Sequence, residues 1–135
     1  MSVFVYTSAF YTVLDADDLL HPAGKIAWVR LLEERGGLHT SSYVIVETLA
    51  LLQRHIGVEG PRTFVADILP VVQVVWVDEG MHRSAQHALL VASRRDLSLV
   101  DCVSFEAMRL LGLTTAFSFD QHFSEQGFRL LPAVR

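Results

Sequence analysis

The chain has 135 residues, 51% of them hydrophobic, which is typical of one compact domain built around a single core. Its net charge of −4 argues against a protein that coats nucleic acid through bulk positive charge. The mean hydropathy of +0.35 does not indicate a membrane protein, because charge, glycine or proline interrupts every long apolar run. We therefore expect a single domain over residues 1–135.

The first residues and the cysteine content indicate a cytoplasmic protein. Residues 1–5 lack a basic region and a small-residue cleavage site, so they are more typical of a mature strand than of a signal peptide. The single cysteine, Cys102, cannot form an internal disulfide or a thiolate metal cluster, and we expect it in the core. The only lysine, Lys25, is followed by Ile26, which excludes a Walker-type phosphate loop.

The N-terminal half is predicted to alternate between strands and helices. A β-rich run over residues 3–6 predicts a first strand, after which Thr7 or Ser8 can cap a helix that runs to residue 14. An acidic turn over residues 15–18 precedes a second helix, which opens at residue 22 and stops at glycines 36 and 37. A brief strand over residues 38–40 leads to Ser41 or Ser42, the predicted cap of a long helix that ends at Gly57.

The C-terminal half continues this alternation. Pro61 is predicted to open a helix that Pro70 closes, and residues 71–77, β-branched nearly throughout, predict a strand buried on both faces. Further elements are predicted as helices over residues 80–95, 101–111 and 121–126 and as strands over residues 114–119 and 128–131. Five strands separated by helices predict a three-layer α/β/α domain with a mostly parallel sheet.

Three carboxylates lie at notable positions among the predicted elements, one within an apolar helix and two near the ends of strands. Glu47 lies in a helix that is apolar nearly all round, where an unpaired charge costs roughly several kcal/mol, so it should face a cation, an arginine or a water-filled cleft. Asp101 is placed to act as an N-cap, and Asp120 follows a strand, where a turn or cap aspartate is ordinary. Each residue taken singly has a structural interpretation that remains open.

As a set, the three carboxylates favour a metal site. They fall at or just beyond strand ends on one edge of the predicted sheet, which is where open α/β sheets bind ligands. Their mutual repulsion would be unfavourable unless a divalent cation neutralised it, and oxygen ligands favour Mg²⁺ or Mn²⁺ over Zn²⁺. Hydrolysis of a phosphodiester without a protein nucleophile is the natural reaction of such a site.

Four sequence motifs resemble those of the PIN-domain nucleases, and within that family the VapC-like toxins of toxin–antitoxin pairs. The likeness extends over essentially the whole chain, and the spacing of positions 6, 47, 101 and 120 is similar to that of the family. The motifs are residues 4–10, 42–52, 98–105 and 117–123, the last continuing into residues 127–132.

The resemblance implies a PIN-like fold, a homodimer, an RNA-cleaving toxin that uses Mg²⁺ or Mn²⁺, and a partner antitoxin that occludes the site. Glu47, Asp101 and Asp120 match the acidic catalytic and metal-binding positions of the family. The hydroxyl residues expected to support them are Thr7, Ser8, Ser104 and Ser118. The apolar helices between residues 11 and 52 could supply the surface for a second copy or the antitoxin.

Position 6 departs from the family pattern, which has aspartate as a direct metal ligand where this chain has Tyr6. A neutral phenol, with a pKa of about 10, is a poor ligand for Mg²⁺ and removes one negative charge, so we expect weak metal binding and impaired cleavage. The acidic turn over residues 15–18 lies too far downstream to replace it. Tyr6 is either natural, in a non-cleaving relative that still binds RNA or antitoxin, or a substitution that spares an expression host from a toxic nuclease.

Arginine, histidine and tryptophan side chains also have competing interpretations. Arg94 and Arg95 end the helix before the third acidic motif and could contact RNA phosphate, or they could interact with the helix C-terminus. His122 is close to Asp120 in sequence, but we expect a surface or capping role. Trp28 and Trp76 are expected in the core rather than as platforms for stacked bases.

Overall fold

The structure is a computed structural model that describes residues 1–133. Its five strands form one sheet in the order β3-β2-β1-β4-β5, and every neighbouring pair is parallel. The strands are β1 (Val3–Val5), β2 (Leu38–Ser41), β3 (Gln73–Val75), β4 (Thr115–Phe117) and β5 (Arg129–Leu131). The predicted α/β architecture with a parallel sheet is confirmed.

Seven α-helices flank the sheet within the described residues. They are α1 (Thr7–Leu14), α2 (His21–Glu34), α3 (Ser42–Ile56), α4 (Glu59–Thr63), α5 (Glu79–Ala92), α6 (Leu99–Leu111) and α7 (His122–Glu125). A π-helical turn (Phe64–Ile68) and a 3₁₀ turn (Leu69–Val71) connect α4 to β3. None of the helices between residues 1 and 133 has the length and apolar content needed to cross a membrane.

The two central strands, β1 and β4, form the buried middle of the sheet. All three residues of each are buried, and the strands pair in the register Phe4 with Ala116 and Val5 with Phe117. Burial of such large apolar side chains is the main contribution to the stability of the core. Because both strands run in the same direction, the residues that follow them emerge side by side at one edge.

The strand predicted over residues 71–77 is shorter and more exposed than expected. Only Gln73–Val75 pair, at the edge of the sheet next to β2, and Trp76 is 75% exposed. The predictions of a strand buried on both faces and of a core Trp76 are therefore wrong, because apolar content does not distinguish an edge strand from a central one. Trp28 is buried, as expected.

Sequence signals located the ends of the longer helices well. Ser41 Oγ accepts a hydrogen bond of 3.2 Å from the N–H of Val44, which confirms the predicted cap of α3. Gly57 and Gly112 end α3 and α6 with φ of 80° and 69°, a region that favours glycine. The long helix that carries Glu47 is thus fixed at both ends.

Two predicted helix starts are corrected. Tyr6 is the N-cap residue of α1, in place of Thr7 or Ser8, and its side chain makes no capping hydrogen bond. The helix starts directly at Thr7 because β1 ends one residue earlier than predicted. The helix assigned to Pro61 begins at Glu59, with the proline in its first turn, where the missing N–H costs little.

Candidate active site

The site lies at the carboxyl edge of the central strands, where the sequence predicts it. Tyr6 follows β1 and Asp120 comes shortly after β4, while Glu47 lies on α3, the helix that follows β2. Asp101 lies in the first turn of α6. The charges of Asp101 and Asp120 both act on the pKa of Glu47, so the three predicted acidic residues are brought into one cluster.

Asp101 is the third residue of α6 and not its N-cap. Ser98 caps the helix and accepts a 3.0 Å hydrogen bond from the N–H of Asp101, while Asp101 Oδ2 accepts one of 2.9 Å from the N–H of Ser98. The predicted N-cap role is wrong because α6 begins at Leu99, two residues earlier than expected. This reciprocal capping box fixes the carboxylate, which is 3% exposed.

Tyr6 directs its phenol into the acidic cluster. The hydroxyl donates a hydrogen bond to Asp101 Oδ1, and the ring packs edge-on against Phe123 at 4.9 Å between centroids. Burial, then the charge of Asp101, and to a lesser degree that of Glu47, raise the pKa of the phenol far above its ordinary value. Tyr6 is therefore a neutral donor that occupies one of the two oxygens of Asp101.

Glu47 and Thr7 lie beside Tyr6. Burial raises the pKa of Glu47, the Thr7 hydroxyl lowers it, and the charges of Asp101 and Asp120 raise it further, with a net upward shift. Thr7 is 4% exposed, and its Oγ1, which lies near the Glu47 carboxyl, makes no hydrogen bond of normal geometry within residues 1–133. This part of the site therefore holds a carboxyl group and a hydroxyl group that lack a full set of hydrogen-bonding or charged partners.

The predicted hydroxyl residues divide into two groups. Ser118 Oγ accepts a 3.0 Å hydrogen bond from the N–H of Asp120, and Ser8 Oγ accepts one of 2.9 Å from the N–H of Phe119. The two serine oxygens are 3.3 Å apart. Ser104 donates instead to the carbonyl of Val100 at 2.7 Å, within α6. Ser8 and Ser118 therefore position the segment that carries Asp120.

His122 also belongs to the cluster, so the expected surface or capping role is wrong. Its side chain is 14% exposed, and Nδ1 lies 2.7 Å from Asp120 Oδ1 and 3.5 Å from Asp101 Oδ2. Nε2 lies 3.2 Å from Asp96 Oδ2. Burial lowers the pKa of His122, but the hydrogen bond to Asp96 and the charges of Asp120 and Asp101 outweigh burial and raise it.

The signal for His122 was its spacing, two residues after the last acidic motif. The backbone N–H of His122 donates to Asp120 Oδ1 at 2.9 Å, which turns the chain back so that the imidazole faces the carboxylates. The partner Asp96 lies in the loop between α5 and α6 and has no sequence signal of its own. Spacing alone could nominate the histidine, but only the fold supplies its surroundings.

The donor atoms of the cluster supply part of the ligand set that a divalent cation requires. Asp101, Asp120 and His122 each offer one ligand atom, and these atoms lie within 4.8 Å of one another, the only such group of three found among the described residues. Glu47 lies within electrostatic reach but outside that closest group. Tyr6 contributes no charge. The carboxylates required for a metal site are thus present, and the position that differs is the one occupied by Tyr6.

Arg94 is engaged by acidic side chains at the surface. It pairs with Asp96 at 2.8 Å and with Glu125 at 2.6 Å, whereas Arg95 is exposed. The hydrogen bonds from Arg94 and His122 hold the pKa of Asp96 well below its usual range. Arg94 thereby helps to keep Asp96 ionised beside His122, and RNA binding by Arg94 and Arg95 stays a prediction.

Two solved structures share the fold at low sequence identity. VapBC2 from Rickettsia felis, bound to a DNA fragment from their promoter, is 11% identical with a TM-score of 0.69, over 96% of this chain and 97% of that chain. FitAcB from Neisseria gonorrhoeae is 12% identical with a TM-score of 0.65, over 96% of each chain. These likenesses concern the fold alone.

A closer relative is the 23S rRNA-specific endonuclease VapC20 of Mycobacterium tuberculosis, 33% identical over 127 residues, which are 93% of this chain and 95% of the relative. Its crystal structure, described as that of a Sarcin-Ricin loop cleaving toxin, superposes with a TM-score of 0.82 at 34% identity, over 93% of this chain and 95% of that chain. The PIN domain matches residues 3–129. The predicted relation to VapC-like ribonucleases is confirmed, and the chain belongs to the PIN-domain family.

Proposed function

We propose that this chain, a single domain over residues 1–135, is the ribonuclease toxin of a cytoplasmic toxin–antitoxin pair, with cleavage slowed by Tyr6. The observation that carries the proposal is the convergence of Glu47, Asp101 and Asp120, from three separate elements, at the carboxyl edge of a parallel sheet. Carboxylates gathered in this way are suited to hold a divalent cation beside a phosphodiester.

The chain's own residues would divide the work of hydrolysis. A bound Mg²⁺ or Mn²⁺ would supply positive charge to the scissile phosphate and to attacking water. Asp101 and Asp120 would hold the cation, and Glu47, whose pKa is raised by burial, is suited to accept a proton from water. The Tyr6 hydroxyl holds Asp101 Oδ1 and so withholds one oxygen from ligation.

The substrate and partners are proposed from the relatives. Because VapC20 is a 23S rRNA-specific endonuclease, a ribosomal RNA hairpin is the first substrate to test. Apolar side chains exposed on α2 support a protein partner, either the antitoxin or a second copy in a homodimer. They are Ile26 (57% exposed), Val29 (42%) and Leu32 (40%).

Restoration of an acidic residue at position 6 tests the function. Tyr6→Asp is expected to cleave a 23S rRNA hairpin in the presence of Mg²⁺ or Mn²⁺ roughly 10- to 100-fold faster than the unaltered chain. Tyr6→Phe is the matched control, because it removes the hydroxyl without adding a carboxylate, and it should remain slow. Adding Glu47→Gln to Tyr6→Asp should abolish the gain. Absence of metal-dependent cleavage by Tyr6→Asp would end the proposal.

A second candidate is a non-catalytic module that binds RNA or an antitoxin. It is favoured by the accommodation of Tyr6, whose phenol is buried, hydrogen-bonded to Asp101 and packed against Phe123. This candidate predicts that the unaltered chain forms a complex with antitoxin or RNA and that neither it nor Tyr6→Asp arrests growth. Growth arrest by Tyr6→Asp would decide for the enzyme.

A further inference from the structure

We propose that His122, oriented by Asp96, is a metal ligand in this chain, and that with Asp101 and Asp120 it binds a first-row transition-metal dication such as Mn²⁺ in preference to Mg²⁺. The inference rests on the proposed function, because it assigns the cofactor of the same site. His122 lies within the motif at residues 117–123, but the resemblance assigns metal binding only to the acidic positions and does not make this histidine a ligand.

The pairing of His122 with Asp96 is the arrangement that metal-binding histidines use. A ligating imidazole usually donates its other ring N–H to a carboxylate, which fixes the tautomer and the direction of the free nitrogen. Here Nε2 is 3.2 Å from Asp96 Oδ2, and Asp96 is in turn held by Arg94. With the proton on Nε2, Nδ1 presents its lone pair to the cluster.

The surroundings of Nδ1 call for a cation. The atom is buried and makes no hydrogen bond among the described residues, although it lies 2.7 Å from Asp120 Oδ1 and 3.5 Å from Asp101 Oδ2. Nδ1 can face two carboxylate oxygens favourably in two ways: it carries a proton, in an imidazolium that is ion-paired with both, or its lone pair shares a metal cation with them. Two donor atoms that share one cation at about 2.1 Å are separated by about 3.0 to 3.4 Å, and the observed distances bracket this range.

Tyr6 does not block this side of the cluster. Its hydroxyl binds Asp101 Oδ1, whereas His122 faces Oδ2 of the same carboxylate. The group formed by Asp101, Asp120 and His122 is therefore compatible with tyrosine at position 6. Independently, Thr7 is 4% exposed, and its unpartnered hydroxyl lies toward Glu47 at the border of the site, as expected beside a space that holds a ligand or its water.

The donor set determines the class of metal. Mg²⁺ prefers oxygen ligands in near-ideal octahedral geometry, whereas imidazole is a typical ligand of first-row transition metals. Replacing one carboxylate by an imidazole therefore shifts preference away from Mg²⁺. A chain that has lost the acidic residue at position 6 can retain metal binding through this nitrogen.

The test is pulsed electron paramagnetic resonance on the full, unaltered chain loaded with one equivalent of Mn²⁺. We expect ¹⁴N coupling from a coordinated imidazole and Mn²⁺ binding at least tenfold tighter than Mg²⁺ binding in calorimetry. His122→Ala should remove the coupling and weaken Mn²⁺ binding at least tenfold, and Asp96→Asn should weaken it roughly 10- to 100-fold. His87→Ala, an exposed histidine on α5, is the matched control and should change neither readout.

Absence of ¹⁴N coupling in the unaltered chain, or of Mn²⁺ binding, would overturn the inference without any mutant having to fold. Persistence of the coupling in a folded His122→Ala chain would do the same. These outcomes are separate from the cleavage assay. If Tyr6→Asp cleaves RNA but no ¹⁴N coupling is seen, the proposed function stands and His122 is not a metal ligand. If coupling is seen but Tyr6→Asp does not cleave RNA, His122 is a metal ligand and the proposed ribonuclease function is wrong.

Discussion

Asp120 and Tyr6 follow the two central strands of one sheet, yet their surroundings differ. On the Asp120 side, formed by Ser8, Ser118, Asp120 and His122, serine hydroxyls accept the backbone N–H groups that position the carboxylate. On the Tyr6 side, formed by Tyr6, Thr7 and Glu47, a buried hydroxyl has no hydrogen-bond partner among the described residues and a carboxyl has a raised pKa.

The difference shows that the two sides of one site are ordered to different degrees. The Asp120 side keeps a preorganised arrangement of donors and acceptors, which is the condition for precise ligand placement. The Tyr6 side has a bulky neutral donor where the family pattern has a charged residue, and its polar groups are less well matched. Stability measurements can test whether the two sides differ energetically in the way that the hydrogen bonds indicate.

The largest effect is expected from Phe123→Ala, which removes the aromatic side chain that packs against Tyr6. Phe123 is fully buried and packs edge-on against Tyr6 at 4.9 Å and Phe105 at 5.1 Å. We expect a loss of about 3–5 kcal/mol in the free energy of unfolding, measured in urea. Leu110→Ala, at a position 70% exposed, is the control and should change stability by less than about 0.5 kcal/mol. Equal losses would contradict this packing.

A double-mutant cycle of Tyr6→Phe and Asp101→Ala measures the hydrogen bond that links the Tyr6 side to Asp101. The Tyr6 hydroxyl donates to a buried carboxylate, and hydrogen bonds to charged groups contribute about 1.5–3 kcal/mol. We expect a coupling energy in that range from the unfolding of the four proteins. Additive effects of the two substitutions would show that the hydrogen bond contributes nothing to stability.

A smaller loss is expected on the Asp120 side from Ser118→Ala. The serine is fully buried and accepts the N–H of Asp120, so its removal should cost about 1 kcal/mol in chemical denaturation. Ser2→Ala, at an exposed position, should have no measurable effect. If Ser118→Ala is as neutral as Ser2→Ala, the ordered hydrogen bonding assigned to this side is wrong.

The smallest effect is expected on the Tyr6 side from Thr7→Val. Because Thr7 Oγ1 is buried without a partner, an isosteric methyl group should leave stability unchanged or raise it by up to about 1 kcal/mol. Thr40→Val is the matched control: Thr40 Oγ1 donates to the carbonyl of Val5 at 2.8 Å, and its removal should cost about 1 kcal/mol. Thermal unfolding of both variants measures the two changes in stability. If Thr7→Val lost as much stability as Thr40→Val, the Thr7 hydroxyl would have a hydrogen-bond partner after all.

Most of the fold could be predicted from the sequence because local sequence patterns specify its strands and helices. Residue type alone identified glycines 57 and 112 and narrowed the cap of α3 to Ser41 or Ser42, of which the structure has Ser41. The position of β3 at the edge was not, because strand order depends on pairing between distant segments. Trp76 was misplaced for the same reason, since its exposure depends on which strand lies next to β3.

The carboxylates of the candidate site could be predicted from the sequence, but the contacts between its residues could not. Glu47, Asp101 and Asp120 were identified from their motifs, and the structure brings them together. The hydrogen bond from Tyr6 to Asp101 and the place of His122 between Asp96 and Asp120 were missed. These contacts depend on where α6 and α7 begin, and a shift of two residues in a helix start changes which groups meet.

The pairing of β1 with β4 has a consequence for the synthesis of the chain. Phe4 pairs with Ala116, so β1 finds its central neighbour β4 only after about 110 further residues have been translated. Tyr6 and Asp120 depend on that pairing for their juxtaposition. A growing polypeptide on the ribosome therefore carries Tyr6 and Glu47 long before the site is assembled, and the site can form only after β4 and Asp120 have emerged.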